Sequence, residues 1–137
     1  MIECKIAADS ELRGVFALRR EVFVHEQSVP AEIEFDEFEK DALHAIAYEG
    51  KNVIGCARLV EFGDYVKIGR VAVKKEFRLK GVGKTLMQFL MNIAESKNKY
   101  IMIHAQVSAL DFYRKLGFVE EGHVFLEAGI KHKKMRK

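Results

Sequence analysis

The spacing of apolar residues in this chain changes from a strand pattern to a helix pattern near Gly81, which restricts the possible folds more than any other feature. Before Gly81, alternation and short apolar runs predict strands at residues 2–7, 43–48, 53–62 and 65–73. After it, apolar residues recur at helical spacing over 81–97, and a short buried strand is predicted at 100–105. The order predicts an antiparallel meander followed by a β-α-β unit.

The segment between the first two strands predicts one helix and one loop. Asp9 or Ser10 can cap a helix whose apolar residues recur at helical spacing as far as about Val24. Pro30 and closely spaced acidic residues predict a loop with at most a short helix over 25–41.

The last part of the chain predicts another helix and a closing hairpin. The helix covers 107–116, and Gly117 is placed to cap its C-terminal end. The hairpin turns at Ala128-Gly129 and joins strands at residues 118–125 and 131–136. The fold class is therefore α/β, of the α+β kind.

Length and composition predict one folded domain spanning residues 1–137. A hydrophobic content of 49% with ten Phe supplies a core and excludes a disordered chain, and a single Pro excludes collagen-like classes. No apolar run approaches the roughly 20 residues that span a bilayer, and the first residues lack a signal-peptide pattern. Cys4 and Cys56 are too isolated for a redox motif. We expect a cytoplasmic protein with free thiols and no membrane contact.

Charge is distributed unevenly along the chain. The net charge is +3, and five basic residues stand in the run 131–137. Residues 67–84 carry seven basic residues against one acid, whereas residues 21–41 carry eight acids against one lysine. This asymmetry favours a polyanionic ligand at the first stretch and a cationic one near the second, although two solvated faces would give the same pattern. We do not expect nucleic-acid binding, because the C-terminal run lacks any supporting motif.

The segment Val71–Thr85 is a predicted strand that runs into a glycine turn and then a helix. Free N–H groups and the helix dipole at such a turn attract anions, and a diphosphate is the natural ligand. Gly81 and Gly83 allow close approach of a phosphate to the backbone. A Walker A loop is excluded, because Arg78 stands where that loop requires glycine. From these residues alone, an anion site and a purely structural turn remain equal alternatives.

Two motifs resemble those of the GNAT N-acetyltransferase family. Arg78-Leu79-Lys80-Gly81-Val82-Gly83 resembles the turn that binds the coenzyme A pyrophosphate, and residues 109–118 resemble the family's Ala-x-x-x-Tyr-x-x-x-Gly-Phe segment. Residues 18–30 and 127–132 look like the small bacterial ElaA-like branch. The resemblance implies a mixed, mostly antiparallel sheet of six to seven strands with about four helices, and transfer of an acetyl group from acetyl-CoA to a primary amine.

The resemblance also implies roles for individual residues. The N–H of Val71 would polarise the thioester carbonyl, the backbone of Val73 would pair with the pantetheine arm, and Tyr113 would donate a proton to the departing thiolate. A packed core tyrosine is the alternative for Tyr113. The cofactor-binding residues implied in this way are Val71, Ala72, Val73, Arg78, Leu79, Lys80, Gly81, Val82, Gly83, Lys84, Thr85, Gln106 and Tyr113.

The residue that takes the proton from the amine is harder to predict. Some family members carry a glutamate on the strand where this chain has Lys67. We choose Glu26 as the base, while a water chain or another side chain could also serve: His25, Glu34, His44, Asp64 or His104. His132 receives no role, and the scattered histidines show no metal-ligand spacing.

Three functions therefore follow from the sequence as alternatives. The first is an acetyltransferase acting on a small-molecule or peptide amine, with pairing into a homodimer possible, as often occurs in the family. The second is a coenzyme A-binding regulatory module of the same fold without useful turnover, since the strand carboxylate is replaced by Lys67. The third, nucleic-acid binding through residues 131–137, predicts a steep dependence of affinity on salt.

Overall fold

Seven strands form one sheet in the computed structural model, which describes residues 2–137. The sheet order is β1-β2-β3-β4-β5-β7-β6, and every neighbouring pair is antiparallel except β4 with β5, which is parallel. The strands are β1 Glu3–Ile6, β2 Leu43–Glu49, β3 Asn52–Glu61, β4 Tyr65–Val73, β5 Tyr100–Gln106, β6 Val119–Glu127 and β7 Ile130–Arg136. The predicted meander, β-α-β unit and closing hairpin are confirmed.

Four α-helices accompany the sheet, together with short 3₁₀ turns at Asp9–Glu11, Lys75–Phe77 and Val107–Ala109. The α-helices are α1 Leu12–Arg19, α2 Ala31–Glu34, α3 Val82–Ser96 and α4 Leu110–Lys115. The mixed, mostly antiparallel fold class expected from the resemblance is thus observed. Among residues 2–137, no helix combines the length and apolarity that crossing a bilayer requires.

The first helix differs from its prediction in one respect. It is α-helical only to Arg19 and continues as a π-helix over Arg20–Glu26. A π-helix has a wider turn than an α-helix, so it changes the direction of the side chains that follow it. Val22 and Phe23, which lie within the π-helix, line the cavity described below, whereas Arg19, the last residue of the α-helical part, is buried in the body of the protein.

The sheet separates two apolar cores. In the larger one, α3 packs Leu86, Met87 and Leu90 against the central strands, and in the smaller one α1 packs against the opposite face. Gly55 allows the close contact with α3, because a Cβ at this position would lie 2.8 Å from Cγ1 of Val82. Burial raises the pKa of the Cys56 thiol to about 12, which makes that thiol unreactive.

The basic run at the end of the chain is a strand and not a solvated tail. Most of the run belongs to β7, which pairs with β5 on one side and with β6 on the other. Both His132 and Met135 in this strand are buried. Lys133 and Lys134 form ion pairs with Glu120 and Glu121 of β6. The basic residues of this run therefore contribute to the sheet, and their pairing does not support the alternative of a free nucleic-acid-binding tail.

Three arginines of the body bind the acidic segment that follows the π-helix. Arg19 is 1% exposed and donates to Oε2 of Glu34 at 2.7 Å and to both carboxylate oxygens of Glu39 at 2.8 and 2.7 Å. Arg58 donates to both oxygens of Asp36 at 2.7 and 3.1 Å, and Arg70 donates to Oδ2 of Asp36 at 3.2 Å. The carboxylates at 34, 36 and 39 thus neutralise internal arginines, so most of their charge is not available to attract a cationic ligand.

We predict that Arg19→Met destabilises the protein by about 3–5 kcal/mol, because it leaves two carboxylates without their buried partner. The free energy of unfolding from urea titration monitored by circular dichroism measures the change. Arg13→Met is the matched control, since Arg13 is exposed on the same helix and makes no ion pair within residues 2–137. Equal stability of the two variants would contradict the prediction.

A second prediction concerns the dependence of stability on pH. Burial alone would raise the pKa of Glu39, but hydrogen bonds and charge from Arg19, with the charge of Arg58, lower it to about 2. A lowered pKa stabilises the fold above the ordinary value of 4.5, and this contribution disappears as the pH falls from about 5 to about 2. Glu39→Gln should therefore flatten the acid side of the stability profile by up to about 3 kcal/mol. Glu37→Gln, an exposed neighbour, should leave the profile unchanged.

Candidate active site

The central feature of the site is a gap between the two parallel strands. β4 and β5 pair only from Tyr65 with Tyr100 to Lys67 with Met102, and their ladder ends there. Beyond Met102, β5 pairs with β7 on its other edge. The diverging strands border a cavity of about 670 Å³, within the usual size range of ligand pockets.

A bulge in β4 alters the backbone on the side of the gap. In the pairing with β3, Cys56 lies opposite Ala72 and Arg58 lies opposite Gly69, so that Arg70 and Val71 both face Ala57. Arg70 adopts a φ of +54°, which is uncommon for a residue with a side chain. A bulge leaves its extra residue outside the regular ladder. Val71, the residue expected to polarise a carbonyl, therefore belongs to the irregular part of the strand.

The glycine turn lies at the far end of β4 and begins α3. Gly81 is the N-cap with a φ of +85°, which glycine adopts without strain. The first N–H groups of this 15-residue helix have no partner within the helix and carry the positive end of its dipole. Lys84 lines the cavity beside them. This end of the cavity can therefore bind an anion.

Arg78 connects the turn to two other parts of the site. Its Nε donates to the carbonyl of Val73 at 2.9 Å, and its Nη2 donates to Oε1 of Glu26 at 2.8 Å. Glu26 stands at the end of the π-helix and is not among the residues that line the cavity. This position suits Glu26 to holding Arg78 in place, and the structure gives no support to its role as the base.

Tyr113 lines the cavity from α4. Its ring packs edge-on against Phe112 and Phe118 with centroid distances of 5.0 and 5.9 Å. Burial raises the pKa of the phenol to about 12, so the hydroxyl is protonated at neutral pH. Among residues 2–137 that hydroxyl has no hydrogen-bond partner, and the residue lines the cavity, so the hydroxyl is available to a ligand there. Tyr113 is therefore both a packed residue and an available proton donor.

One wall of the cavity comes from the π-helix and the acidic segment after it. Phe23, Val29 and Ile33 supply apolar surface, and Gln27 accepts a hydrogen bond from Nε2 of Gln106 on β5 at 2.9 Å. The arginine ion pairs hold this wall against the sheet. The wall gives the cavity a mostly apolar side.

Ionisable side chains converge beside the last paired residues of β4 and β5. Nδ1 of His104 lies 3.4 Å from Oε1 of Glu127, and Nε2 of His132 lies 3.7 Å from Oε2 of the same carboxylate. Hydrogen bonding and charge from His104 lower the pKa of Glu127 to about 2. Burial lowers the pKa of Lys67, which also lines the cavity. Within residues 2–137, no group of His, Cys, Asp and Glu side chains is arranged to hold a metal ion.

The structure brings most of the predicted site residues together. Eleven of them line the cavity: Val71, Ala72, Val73, Arg78, Leu79, Gly81, Val82, Gly83, Lys84, Gln106 and Tyr113. Lys80 and Thr85 do not line it. The ammonium of Lys80 lies over the ring of Phe77, and the hydroxyl of Thr85 donates to the carbonyl of Gly81.

Sequence reasoning missed the cluster of Glu127 with His104 and His132. The predicted hairpin across Ala128-Gly129 was the available signal, because a two-residue turn places residues on either side of it close together. The pairing of β7 with β5 sets His132 opposite Gln106, two residues beyond His104 on the same face. That long-range register could not be read from spacing.

Comparisons with known proteins agree over nearly the whole chain. A family model described as an acetyltransferase (GNAT) domain matches residues 6–137. The Bacillus subtilis protein named "Uncharacterized N-acetyltransferase YjcF" is 38% identical over 131 residues, 94% of each chain, and protein ElaA of Escherichia coli is 30% identical over 129 residues, 90% of this chain and 84% of its own. Among solved structures, ElaA has a TM-score of 0.89 at 28% identity, covering 100% of this chain and 99% of the other. An acyl-CoA N-acyltransferase from Pseudomonas aeruginosa has a TM-score of 0.87 at 31% identity, covering 100% and 98%.

Proposed function

The chain belongs to the GNAT acetyltransferase family, and from this premise we propose that it transfers the acetyl group of acetyl-CoA to a primary amine while both substrates are bound. The observation that carries the proposal is the gap between β4 and β5, which runs from the start of α3 past the bulge at Val71 and includes Tyr113. The amine belongs to a small molecule or a peptide.

The residues at the glycine turn suit the pyrophosphate of the donor substrate. The N–H groups that begin α3 point to the anion site, and Lys84 and Arg78 add positive charge around it. Gly83 lacks a side chain where a Cβ would already lie 3.5 Å from the Phe112 ring. The absence of a side chain at Gly83 leaves the neighbouring N–H groups open to contact with a phosphate group.

The bulged strand supplies the second part of the donor site. An N–H at Val71 stabilises the oxygen of the thioester carbonyl as charge develops on it, which is worth about 2.7–4 kcal/mol for a preorganised donor. The carbonyl of Val73 accepts from Arg78, which fixes the end of β4 beside the pantetheine arm. The backbone thus performs this part of the chemistry, while the valine side chains pack.

Tyr113 assists departure of the coenzyme A thiolate. Its pKa of about 12 lies above the value of about 8.5 of an ordinary thiol, so complete proton transfer to sulfur alone is uphill. The hydroxyl therefore acts first as a hydrogen-bond donor to the sulfur while the C–S bond breaks. The proton that it gives up is replaced by the one that the attacking nitrogen loses.

We predict that Gly83→Glu weakens acetyl-CoA binding about tenfold or more, because it places a bulky carboxylate at the anion site. Gly83 is preferable to Gly81 for this test. Gly83 lies within α3, where glutamate is a better helix former than glycine. Gly81 has a left-handed backbone conformation that any other side chain would strain. Calorimetry measures the dissociation constant. Gly63→Glu is the control, as a Cβ at Gly63 would meet open space far from the cavity lining. Unchanged binding by Gly83→Glu would argue against the proposed donor site.

We predict that Tyr113→Phe lowers kcat about 100-fold with little change in acetyl-CoA affinity, because only the transition state uses the hydroxyl. Release of the coenzyme A thiol is measured with free amino acids, amino sugars and lysine peptides as acceptors. Tyr65→Phe is the matched control, since Tyr65 packs between Phe62 and Tyr100 outside the cavity lining.

The same assay separates the second candidate function. On β4, Lys67 stands where some family members carry a glutamate, which favours a module that binds coenzyme A without turnover. Acetyl-CoA binding with no turnover for any amine would support that module. Turnover that depends on an amine would exclude it.

A further inference from the structure

We propose that Glu127, His104 and His132 form the site that binds the ammonium group of the acceptor and removes its proton, with His104 as the proton acceptor. This inference rests on the proposed acetyl transfer and assigns to it a residue set that replaces Glu26 as the base. The set comes from three neighbouring strands, β5, β7 and β6, and all three side chains line the cavity that contains Tyr113.

The hydrogen bond of His104 determines which of its nitrogens is free. A carboxylate only accepts, so Nδ1 of His104 carries the hydrogen that faces Oε1 of Glu127 at 3.4 Å. In the neutral ring, Nε2 then keeps its lone pair. No described residue bonds to this Nε2, and the His104 side chain is 26% exposed and lines the cavity, so Nε2 is available as a proton acceptor. A carboxylate that orients an imidazole through Nδ1 and leaves Nε2 free is the arrangement of a general base, and Glu127 and His104 have it.

His132 is held by a second, independent contact. Its Nδ1 lies 2.7 Å from the carbonyl of Ile130, which can only accept, so Nδ1 of His132 carries a hydrogen. Its Nε2 lies 3.7 Å from Oε2 of Glu127. Phe125 contacts both imidazoles, edge-on with His104 at 5.0 Å and stacked with His132 at 6.0 Å. The two rings are thus fixed on either side of one carboxylate.

The charges around His104 suit a group that must be neutral before the reaction and charged after it. Glu127 of β6 is ionised at neutral pH and attracts an ammonium ion or an imidazolium. Lys67 of β4, and Lys134 directly opposite His104 in β7, oppose a further positive charge. Lys134 is in turn paired with Glu121 of β6. Glu127 therefore stabilises the positive charge that His104 gains when it accepts a proton, and the two lysines favour release of that proton afterwards.

The carboxylate of Glu127 also gives a physical reason for Lys67 on β4. Lys67 stands at the last residue pair before the gap, where some family members carry a glutamate. Glu127 reaches the same end of the cavity from β6. Burial lowers the pKa of Lys67, and the attraction of the Glu127 carboxylate partly opposes that effect. The negative charge is therefore present at the site but comes from another strand.

The proposed steps balance protons and bonds. The ammonium R–NH₃⁺ gives one proton to Nε2 of His104 and becomes R–NH₂. The nitrogen then forms a bond to the acetyl carbon, the C–S bond breaks, and Tyr113 supplies a proton to sulfur. The second proton lost from nitrogen restores Tyr113, and His104 releases its proton to water, so the net products are the amide, coenzyme A and H⁺.

The first experiment tests the arrangement without any acceptor. The full chain is labelled with ¹⁵N at histidine, and the side-chain spectra are recorded above the pH at which the imidazoles titrate. We expect His104 and His132 to show hydrogen on Nδ1, and Glu127→Gln to alter the His104 signals. His123→Gln assigns the exposed histidine of β6. Hydrogen on Nε2 of His104 would overturn the proposal.

The second experiment uses the best amine from the acceptor panel. We expect His104→Gln to lower kcat/KM about 10²–10⁴-fold and to remove the loss of activity at acid pH, while acetyl-CoA binding in calorimetry stays within about twofold. Glu127→Gln should move the loss of activity at acid pH, the acid limb of the profile, to lower pH, because a carboxylate no longer stabilises protonated His104. It should also raise KM for the amine, because the ammonium group loses its negative partner. His123→Gln should behave like the parent, and Glu26→Gln should keep the acid limb.

The outcomes separate this inference from the function on which it rests. A parent that neither binds acetyl-CoA nor turns over overturns the proposed function. A parent that does both, with His104→Gln retaining the rate and the pH profile, overturns the proton acceptor alone. Loss of the acid limb in His132→Gln or Glu26→Gln, and not in His104→Gln, would also overturn the assignment. Circular dichroism checks that each variant is folded.

Discussion

The site depends on the fact that a parallel ladder of only three residue pairs joins β4 to β5. Beyond Lys67 and Met102 the backbone groups of the two strands no longer hydrogen-bond to each other. β5 continues its pairing with β7, and β4 bulges at Arg70 and Val71. Backbone groups in the middle of a sheet are costly to leave without partners. The gap is therefore a place where the sheet can accept another molecule as if it were a strand, and the start of α3 and Tyr113 are arranged along its length.

Opposing charges fix the wall that faces this gap. The acidic segment after the π-helix has little regular structure of its own, and α2 has only four residues. Arg19, Arg58 and Arg70 bind its carboxylates and thereby set its position on the sheet. Buried ion pairs contribute little net stability compared with apolar packing, but they specify one arrangement, since a displaced segment would leave a charged arginine unpaired. A precise wall is valuable where an acceptor must be oriented.

Local patterns in the sequence predicted the elements, and long-range pairings determined what the elements do together. Alternation and helical spacing were sufficient for β3, β4 and α3 within a residue or two, and Ala128-Gly129 identified the hairpin, because these signals depend on neighbouring residues. The ion pairs of Arg19 could not be predicted, since its partners Glu34 and Glu39 were indistinguishable by type from the other acids nearby. The position of β7 between β5 and β6 was equally hidden. This position makes the basic run an interior strand of the sheet and places His132 beside Glu127.

The same position of β7 sets an order on folding during synthesis. The strands β2, β3 and β4 follow one another through short turns, so the loops between them close at small entropic cost while later residues are still being made. β5 cannot pair along its other edge until β7 is made, because β7 follows β6 in the chain and lies between β5 and β6 in the sheet. Until then the edge of β5 that ends at Gln106 is unpaired, and such an edge readily pairs with other chains. The strand that completes the cavity is thus also the one that protects the newly made chain from aggregation.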